Sequence, residues 1–283
     1  MRVVWATDIH LNFLGAEGRD VFFSSIRVQQ PDAVFVTGDI AEAPSLTHLL
    51  HEMRQAIQVP LYFVLGNHDF YYGSISQVRS SLKHFCQIQP GLTYLSTSGL
   101  VELTPRTALV GHDGWGDGRN GNYHLSPVRL SDQELIADFQ GLDREAVLNK
   151  LRALGDEAAC YLRERLDEAL ASYQRIICLT HVPPFKEACW YQGKMGNDDW
   201  LPYFSCQAIG EVLLNVSRER PDCHITVLCG HTHHAGTVHL RPNLRVLTGS
   251  AEYGVPCIQN SFDLEELFTQ PMLAEGGGIG DSR

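Results

Sequence analysis

Five short polar clusters, each placed where a strand-like apolar run ends, constrain this chain more than any other feature. The clusters are Asp8-Ile9-His10, Gly38-Asp39, Gly66-Asn67-His68-Asp69, Thr180-His181 and Gly230-His231-Thr232-His233. They offer two carboxylates, one side-chain amide and four imidazoles, together with a further histidine that has its own acidic neighbour. That set of donors suits two divalent cations that share one bridging carboxylate.

The apolar runs themselves predict a sheet with helices between its strands. Short β-branched runs occupy residues 3–7, 33–37, 61–65, 108–111, 176–180 and 225–229. Helical stretches at residues 18–30 and 45–58 separate the early runs, and this β-α-β-α-β order predicts a parallel core sheet. Residues 144–173 predict a long helix that Gly155 can break, and three short antiparallel strands are predicted at residues 237–240, 244–247 and 256–262.

Two segments do not fit the alternation of strands and helices, and we predict them to be loops inserted in one domain of residues 1–270. They are residues 112–131 and 183–204, which follow strand ends, where loops of an α/β sheet form binding sites. The first offers His112, Trp115 and Arg119 as candidate substrate contacts, Arg119 because its planar fork matches phosphate. The aromatic residues of both loops could equally line a pocket or anchor the loops. Residues 271–283 are predicted to be a glycine-rich tail.

The charge and hydropathy of the chain exclude some classes of binding partner. The chain carries 33 acidic and 22 basic side chains, a formal net charge of -11, and such a surface repels polynucleotides and anionic membranes. No apolar run approaches the roughly 20 residues that a membrane helix needs. The eight cysteines form no C-x-x-C pair, which favours reduced thiols. We therefore expect a cytoplasmic protein with a small phosphorylated substrate and no membrane or polynucleotide partner; the oligomeric state stays open.

The residue types within the clusters indicate how cations would be bound. Asp8 and His10 are expected to point to the same side of a strand, across Ile9, and so to chelate one ion. Asp39 has two carboxylate oxygens, which allow it to bridge two ions, and Asn67 adds a neutral oxygen. Mixed nitrogen and oxygen donors suit manganese, iron or zinc rather than calcium, and a pair of such cations suits in-line displacement at phosphorus.

At this point the chain resembles the calcineurin-like metallophosphoesterases, since residues 8–233 carry the D-x-H, G-D, G-N-H-D, T-H and G-H-x-H series in that family's order. The resemblance implies a four-layer α-β-β-α sandwich of two mixed sheets with helices on the outer faces and metals at the carboxyl ends of strands. It assigns Asp8, His10, Asp39 and His233 to one metal, and Asp39, Asn67, His181 and His231 to the other. It makes His68 catalytic, with Asp69 orienting it.

These features predict a dinuclear metal-dependent hydrolase in which a metal-bridging hydroxide attacks phosphorus in line. A small phosphodiester or a small organic phosphomonoester is the favoured substrate, because the acidic surface disfavours long nucleic acid. A nuclease would need a basic groove. A pyrophosphohydrolase of nucleotide-linked lipids would need an apolar cap, for which residues 183–204 are the candidate segment. A non-catalytic scaffold would have lost ligands, and none is lost here.

Overall fold

The computed structural model describes residues 1–269. The first third of the chain alternates strands and helices. The β-α-β-α-β order of residues 2–64 confirms the prediction, and the helix and strand that follow it were not predicted. Its elements are β1 (Arg2–Ala6), α1 (Ala16–Val28), β2 (Ala33–Thr37), α2 (Ala43–Ile57), β3 (Leu61–Val64), α3 (Ile75–Ile88) and β4 (Leu92–Tyr94). The predicted helix at residues 45–58 is α2, which has a proline at its start and ends at Gln58 in the left-handed conformation.

The remaining elements are longer helices, short strands and brief helical turns. They are α4 (Leu95–Ser98), β5 (Val101–Thr104), β6 (Thr107–Gly111), α5 (Asp132–Leu135), α6 (Arg144–Leu170), β7 (Arg175–Leu179), β8 (Trp190–Tyr191), β9 (Lys194–Met195), α7 (Leu201–Phe204), α8 (Gln207–Glu219), β10 (His224–Cys229), β11 (Gly236–Arg241), β12 (Leu244–Thr248), β13 (Ile258–Asp263) and α9 (Leu264–Thr269). Short 3₁₀ turns occupy Leu11–Phe13, His68–Phe70 and Lys186–Ala188.

Two mixed sheets organise these strands. The first has the order β13-β1-β2-β3-β4, with β1 to β4 parallel and β13 antiparallel to β1. The second has the order β11-β12-β10-β7-β6-β5, with β12, β10, β7 and β6 parallel and antiparallel strands at both edges. The three strands predicted near residue 250 therefore do not form one antiparallel unit. β12 pairs in parallel with β10, and β13 joins the other sheet.

The apolar core lies in three layers and confirms the α-β-β-α sandwich. Between the sheets, Trp5 and Phe35 of the first pack with Leu109, Ile177 and Leu228 of the second. On the outer face of the first sheet, apolar residues of α1, α2 and α3 form a second cluster. On the outer face of the second sheet, α6 and α8 cover β7 and β10. Each sheet is thus buried on both faces, which explains why its strands are continuous apolar runs.

Gly155 does not break α6, which continues from Arg144 to Leu170. A Cβ atom at Gly155 would lie 2.6 Å from Cβ of Asp117. The glycine therefore allows the loop after β6 to lie directly on the helix.

Residues 271–283, predicted to be a glycine-rich tail, lie outside the described residues. Within residues 1–269, no helix combines the length and the apolar character that crossing a membrane requires.

Candidate metal centre

The strand ends of both sheets bring the predicted ligands together. Potential ligand atoms of Asp8, His10, Asp39 and His233 all lie within 4.8 Å of one another, and those of Asp39, His181 and His231 do the same. Asp39 belongs to both groups and is buried between them. The structure therefore places the predicted bridging carboxylate between two sets of nitrogen and oxygen donors.

The ligands leave the strands in a conformation that the sequence did not indicate. Asp8, His10, Asp39, His231 and His233 all have positive φ, between 39° and 69°. Asp8 and His10 thus lie beyond the end of β1 in left-handed backbone, and the strand alternation invoked for them is wrong. Backbone bonds from Asp8 N to Gly38 O (3.0 Å) and from His10 N to Asp39 O (2.9 Å) hold the two turns side by side. Non-glycine residues rarely adopt this conformation, and where they do it often marks functional sites.

Two glycines allow the turns to approach the carboxylates. A Cβ atom on Gly66 would lie 2.1 Å from Oδ1 of Asp39, and one on Gly230 would lie 2.1 Å from Oδ2 of Asp8. In their place the backbone N–H of His68 donates to Asp39 Oδ1 at 2.9 Å, and that of His231 donates to Asp8 at 3.1 Å. Lack of space for a side chain therefore explains why glycine occupies these positions in two of the five motifs.

The rings of His181 and His231 are arranged as ligands of a cation. Nδ1 of His181 lies 2.8 Å from the carbonyl oxygen of Thr37, and Nε2 of His231 lies 3.1 Å from that of Tyr203. A carbonyl can only accept, so each of these nitrogens carries the proton. The other two nitrogens, His181 Nε2 and His231 Nδ1, face each other at 3.1 Å. In neutral rings both present lone pairs, and a cation would satisfy both.

Other predicted ligands have atoms without a protein partner. Both ring nitrogens of His10 and Oδ1 of Asn67 are buried and accept or donate no hydrogen bond among the described residues. The amide nitrogen of Asn67 donates to Oδ1 of Asp132 at 2.8 Å, which leaves its Oδ1 free as a donor atom. Buried polar atoms are rarely left unpaired, so these orphaned atoms fit a bound metal.

The pKa values of the buried carboxylates and of His10 also favour a bound cation. Burial and the nearby Asp8 carboxylate raise the pKa of Asp39 well above its usual range. Burial also acts to raise the pKa of Asp8, but the hydrogen bond from His233 and the charges of His181 and His233 outweigh it and leave that pKa low. Burial lowers the pKa of His10 to about 4, so its ring is neutral and able to bind a metal. Two buried carboxylates side by side require compensating positive charge.

The structure places His68 beside the predicted metal ligands but does not bring Asp69 to its ring. Nε2 of His68 lies 4.0 Å from Oδ2 of Asp39, and the ring packs on Tyr71 with centroids 4.3 Å apart. Asp69 instead accepts backbone N–H groups of Ile40, Ala41 and Gly66. The interpretation of Asp69 as the residue that orients His68 is therefore corrected. Its carboxylate is occupied in holding the Asp39 turn against the Asn67 turn.

The protonation of His68 also differs from the expectation. Because Asp69 does not contact the ring, burial and the neighbouring His10 prevail and lower the pKa of His68 to about 3. Nδ1 of His68 is buried and has no partner in the described part of the chain. The ring is thus a neutral imidazole on the wall of a cavity.

A cavity of about 700 Å³ opens onto the ligands Asp39, Asn67, His231 and His233. Residues 189–204 supply an aromatic wall of the same cavity, with Trp190, Tyr191, Trp200 and Phe204. This volume is within the range of small-molecule sites, about 300–1,000 Å³. The predicted loop at 183–204 thus lines the cavity, and its tryptophans belong to the cavity wall.

The three substrate contacts predicted in the other loop are not on this wall, and that prediction is corrected. His112 is buried beside Tyr161, with ring centroids 5.3 Å apart, and Trp115 packs on Phe70 and Phe139 in the core. Arg119 forms ion pairs with Asp117 (2.9 Å) and Asp156 (2.7 Å). The loop turns back on α6, so these side chains stabilise the scaffold.

Sequence reasoning missed several residues that line the cavity, and three of them, Arg129, Asp132 and Tyr253, matter for the site. The Tyr253 ring lies 4.6 Å from that of His10 and 5.0 Å from that of His233, between centroids. Its hydroxyl is 3.5 Å from Nε2 of His68. None of the three belongs to a recognisable motif. The only signal was that Arg129 lies within the predicted 112–131 loop.

Comparison with known proteins agrees with this geometry. The model of the calcineurin-like phosphoesterase family matches residues 1–235. A curated relative, UDP-2,3-diacylglucosamine hydrolase of Photobacterium profundum, is 29% identical over 124 residues, which are 40% of this chain and 46% of that protein. The match therefore spans about half the length of that relative.

Two solved structures have a similar fold. Phosphopantetheinyl hydrolase of Mycobacterium tuberculosis superposes with a TM-score of 0.62 at 15% identity, covering 89% of each chain. A dimetal phosphatase of Danio rerio gives a TM-score of 0.55 at 15% identity, covering 88% of this chain and 87% of that one. At such identities the similarity extends to the fold alone.

Proposed function

The chain belongs to the calcineurin-like phosphoesterase family, and from this premise we propose that it hydrolyses an organic phosphate ester with two divalent cations. The convergence of six further donor side chains around Asp39 carries the proposal. Asp8, His10, Asp39 and His233 would hold one cation. Asp39, Asn67, His181 and His231 would hold the other. Manganese, iron and zinc all suit this mixture of donors.

When bound, such a pair of cations supplies Lewis-acid polarisation of the phosphoryl group and a nucleophilic hydroxide at neutral pH. The protein itself contributes position and charge. Asp8 and Asp39 are fixed by backbone N–H donors, so the ligands need little rearrangement. His68 presents Nε2 on the cavity wall near Asp39, where a ring N–H would donate to a phosphoryl or leaving-group oxygen. Preorganised donors of this kind stabilise developing charge.

The cavity favours a substrate of moderate size. Its four aromatic side chains from residues 189–204 offer flat apolar surface for the organic part of an ester. Among residues 1–269, Arg129 is the single lysine or arginine on its wall, which is not the basic groove that a nuclease would need. A small phosphodiester or organic phosphomonoester therefore fits better than a polynucleotide.

A nucleotide-linked lipid is the second candidate. It is favoured by the similarity to UDP-2,3-diacylglucosamine hydrolase and by the exposure of Tyr191, Met195 and Trp200 at the aromatic wall. Such exposed apolar side chains would cover acyl chains beside the cavity.

The test is hydrolysis of a panel of phosphate esters by protein loaded with Mn²⁺, with bound metal measured by elemental analysis. We expect two metals per chain and turnover of at least one class of ester. Asp39→Asn should lose most metal and reduce kcat by at least about 100-fold, because it removes the shared ligand. Asp222→Asn is the matched control, because Asp222 is an exposed aspartate that precedes the amino end of β10, whereas the ligands follow the carboxyl end of that strand. Saturation at one metal per chain would rule out the bridged pair.

A further inference from the structure

Arg129 has no hydrogen-bond or ion-pair partner among the described residues, in contrast to the arginines Arg79 and Arg119. Arg79 pairs with Asp113 and Glu157, and Arg119 pairs with Asp117 and Asp156. Arg129 makes no hydrogen bond or ion pair with any part of the chain that the structure describes, and it is exposed on the cavity wall. In a chain with 33 acidic side chains, an unpaired guanidinium facing a cavity is available to an anionic ligand.

Asp132, the acidic residue nearest to Arg129 in sequence, forms hydrogen bonds with side chains other than Arg129. Its Oδ1 accepts hydrogen bonds from Asn67 Nδ2 (2.8 Å) and from the Tyr71 hydroxyl (2.9 Å). These bonds tie the start of α5 to a proposed metal ligand. Arg129 lies three residues earlier, and three residues span at most about 11 Å. The backbone of Arg129 is therefore held near the metal centre while its side chain stands on the same wall.

We propose that Arg129 binds a second anionic group of the substrate, and that the preferred substrates are diphosphate esters. The inference rests on the proposed function of the metal centre. There, one phosphate would be neutralised by the cations, so Arg129 is left for another anion. A guanidinium presents a planar fork that can bind phosphate through two parallel hydrogen bonds. The aromatic wall then receives the nucleoside or other organic group attached to one of the phosphates.

The reaction on such a substrate balances without a further reactant. The oxygen of water bonds to one phosphorus, and the bond from that phosphorus to the bridging oxygen breaks. The other phosphate leaves with the bridging oxygen and its electron pair. The products are two phosphate monoesters, and the two hydrogens of water pass to them or to the solvent. Arg129 would stabilise the negative charge that gathers on the departing phosphate.

The experiment compares a diphosphate ester with a single-phosphate ester in the Mn²⁺-loaded protein. UDP-glucose and the p-nitrophenyl ester of uridine 5′-monophosphate share the nucleoside and its first phosphate, and only UDP-glucose carries a second phosphate, in the place of the nitrophenyl group. Arg129→Gln should lower kcat/KM for UDP-glucose by about 10- to 100-fold, the range for a lost charged hydrogen bond. The loss for the p-nitrophenyl ester should be several-fold smaller. Arg218→Gln, on the exposed surface of α8, is the matched control and should change neither value.

Equal losses on the two esters, or no loss on UDP-glucose, would overturn the inference. A binding measurement separates it from the proposed function. By calorimetry, Arg129→Gln should weaken α,β-methylene-ADP by about 10- to 100-fold and AMP far less. If the wild-type chain hydrolyses no ester but shows this difference in binding, the proposed function fails and the second-anion site stands. If O-phosphoserine, which carries a carboxylate, responds to Arg129→Gln more strongly than UDP-glucose does, the assignment to phosphate is wrong.

Discussion

Two loops begin at the carboxyl ends of β6 and β7, which are neighbouring parallel strands of the second sheet. One loop packs mainly on the scaffold, and the other lines the cavity. The loop at residues 112–131 follows β6 and buries most of its early side chains, including His112, Trp115 and Asp117. The loop at residues 183–204 follows β7 and presents Trp190, Tyr191 and Trp200 to the cavity. Both loops were candidates for the substrate site, and both are rich in aromatic residues.

The difference lies in what each loop packs against. The 112–131 loop lies on α6 at Gly155 and is anchored by Asp113, so only its end, from Arg129 onwards, reaches the cavity. The 183–204 loop forms the short β8–β9 hairpin and keeps several aromatic side chains exposed. A loop at a strand end therefore contributes to a site only where no scaffold element covers its side chains. Stability should depend mainly on the first loop, and substrate affinity on the second.

The largest effect is expected at Asp113, which is buried at the start of the first loop. Its carboxylate accepts Leu65 N–H (2.8 Å) and the Tyr94 hydroxyl (2.6 Å), and it pairs with Arg79 (3.0 Å). Asp113→Asn leaves the Arg79 guanidinium without its buried partner, which should lower the free energy of unfolding by about 3 kcal/mol. Urea denaturation of metal-free protein measures this loss.

Asp156→Asn is the control for Asp113. Asp156 is largely exposed and pairs with Arg119, so its replacement should change the free energy of unfolding by less than about 1 kcal/mol. If Asp113→Asn kept the stability of the wild-type chain and had a raised KM, the first loop would contribute to substrate binding rather than to stability, and the comparison between the loops would be wrong.

The second effect is a pH dependence that belongs to the first loop. Burial lowers the pKa of His112 to about 4, whereas an unfolded histidine has a pKa of about 6.5. Below pH 6.5 the unfolded chain binds a proton that the folded chain does not, so folding stability falls as the pH drops towards 4 and is unaffected above 6.5. At pH 5 the contribution lost is about 2 kcal/mol.

The measurement is the free energy of unfolding at pH 7 and pH 5 for the wild-type chain and for His112→Asn, which cannot titrate there. The wild-type chain should lose about 2 kcal/mol more than the variant over this interval. Identical pH dependences would show that His112 is accessible to protons in the folded state.

The smallest effect is expected in the second loop, and it should appear in KM. Trp200 is 45% exposed and lines the cavity. Trp200→Ala removes one aromatic contact from an organic ester, which should raise KM by about 10-fold while kcat changes little, because the contact is equal in the bound substrate and the transition state. Tyr72→Ala, an exposed aromatic residue outside the cavity, should leave KM unchanged. Loss of stability in Trp200→Ala would mean that the second loop is scaffold as well.

Much of the fold could be predicted from local patterns. Apolar runs with a period typical of buried strands located β1, β2, β3, β6, β7 and β10, and the family's order of motifs supplied the sandwich. The helix α3 was not predicted. Nor were the parallel pairing of β12 with β10 and the position of β13 beside β1, because the partners of a strand are chosen by long-range contacts. The prediction that Gly155 can break α6 was wrong for a related reason, because a glycine within a helix can allow a loop from elsewhere in the chain to pack closely on it.

The candidate site also combines residues that the sequence predicts with residues that it does not. Ligand side chains such as Asp8, Asp39 and His181 are local signals, because strand, glycine and polar residue follow one another along the chain. The partners that hold or surround them come from distant segments. Asp132 is 65 residues from Asn67, and Tyr253 is 185 residues from His68. No spacing in the sequence relates them.

The sequence alone thus determined which donor side chains are available for the two proposed cations and the order along the chain of the strands that carry them. The tertiary structure decided which other side chains share the cavity. It paired Arg119 with Asp117 and Asp156 and left Arg129 unpaired on the wall. The physical reason is that donor types are properties of single residues, whereas the availability of a charged side chain depends on every group packed around it.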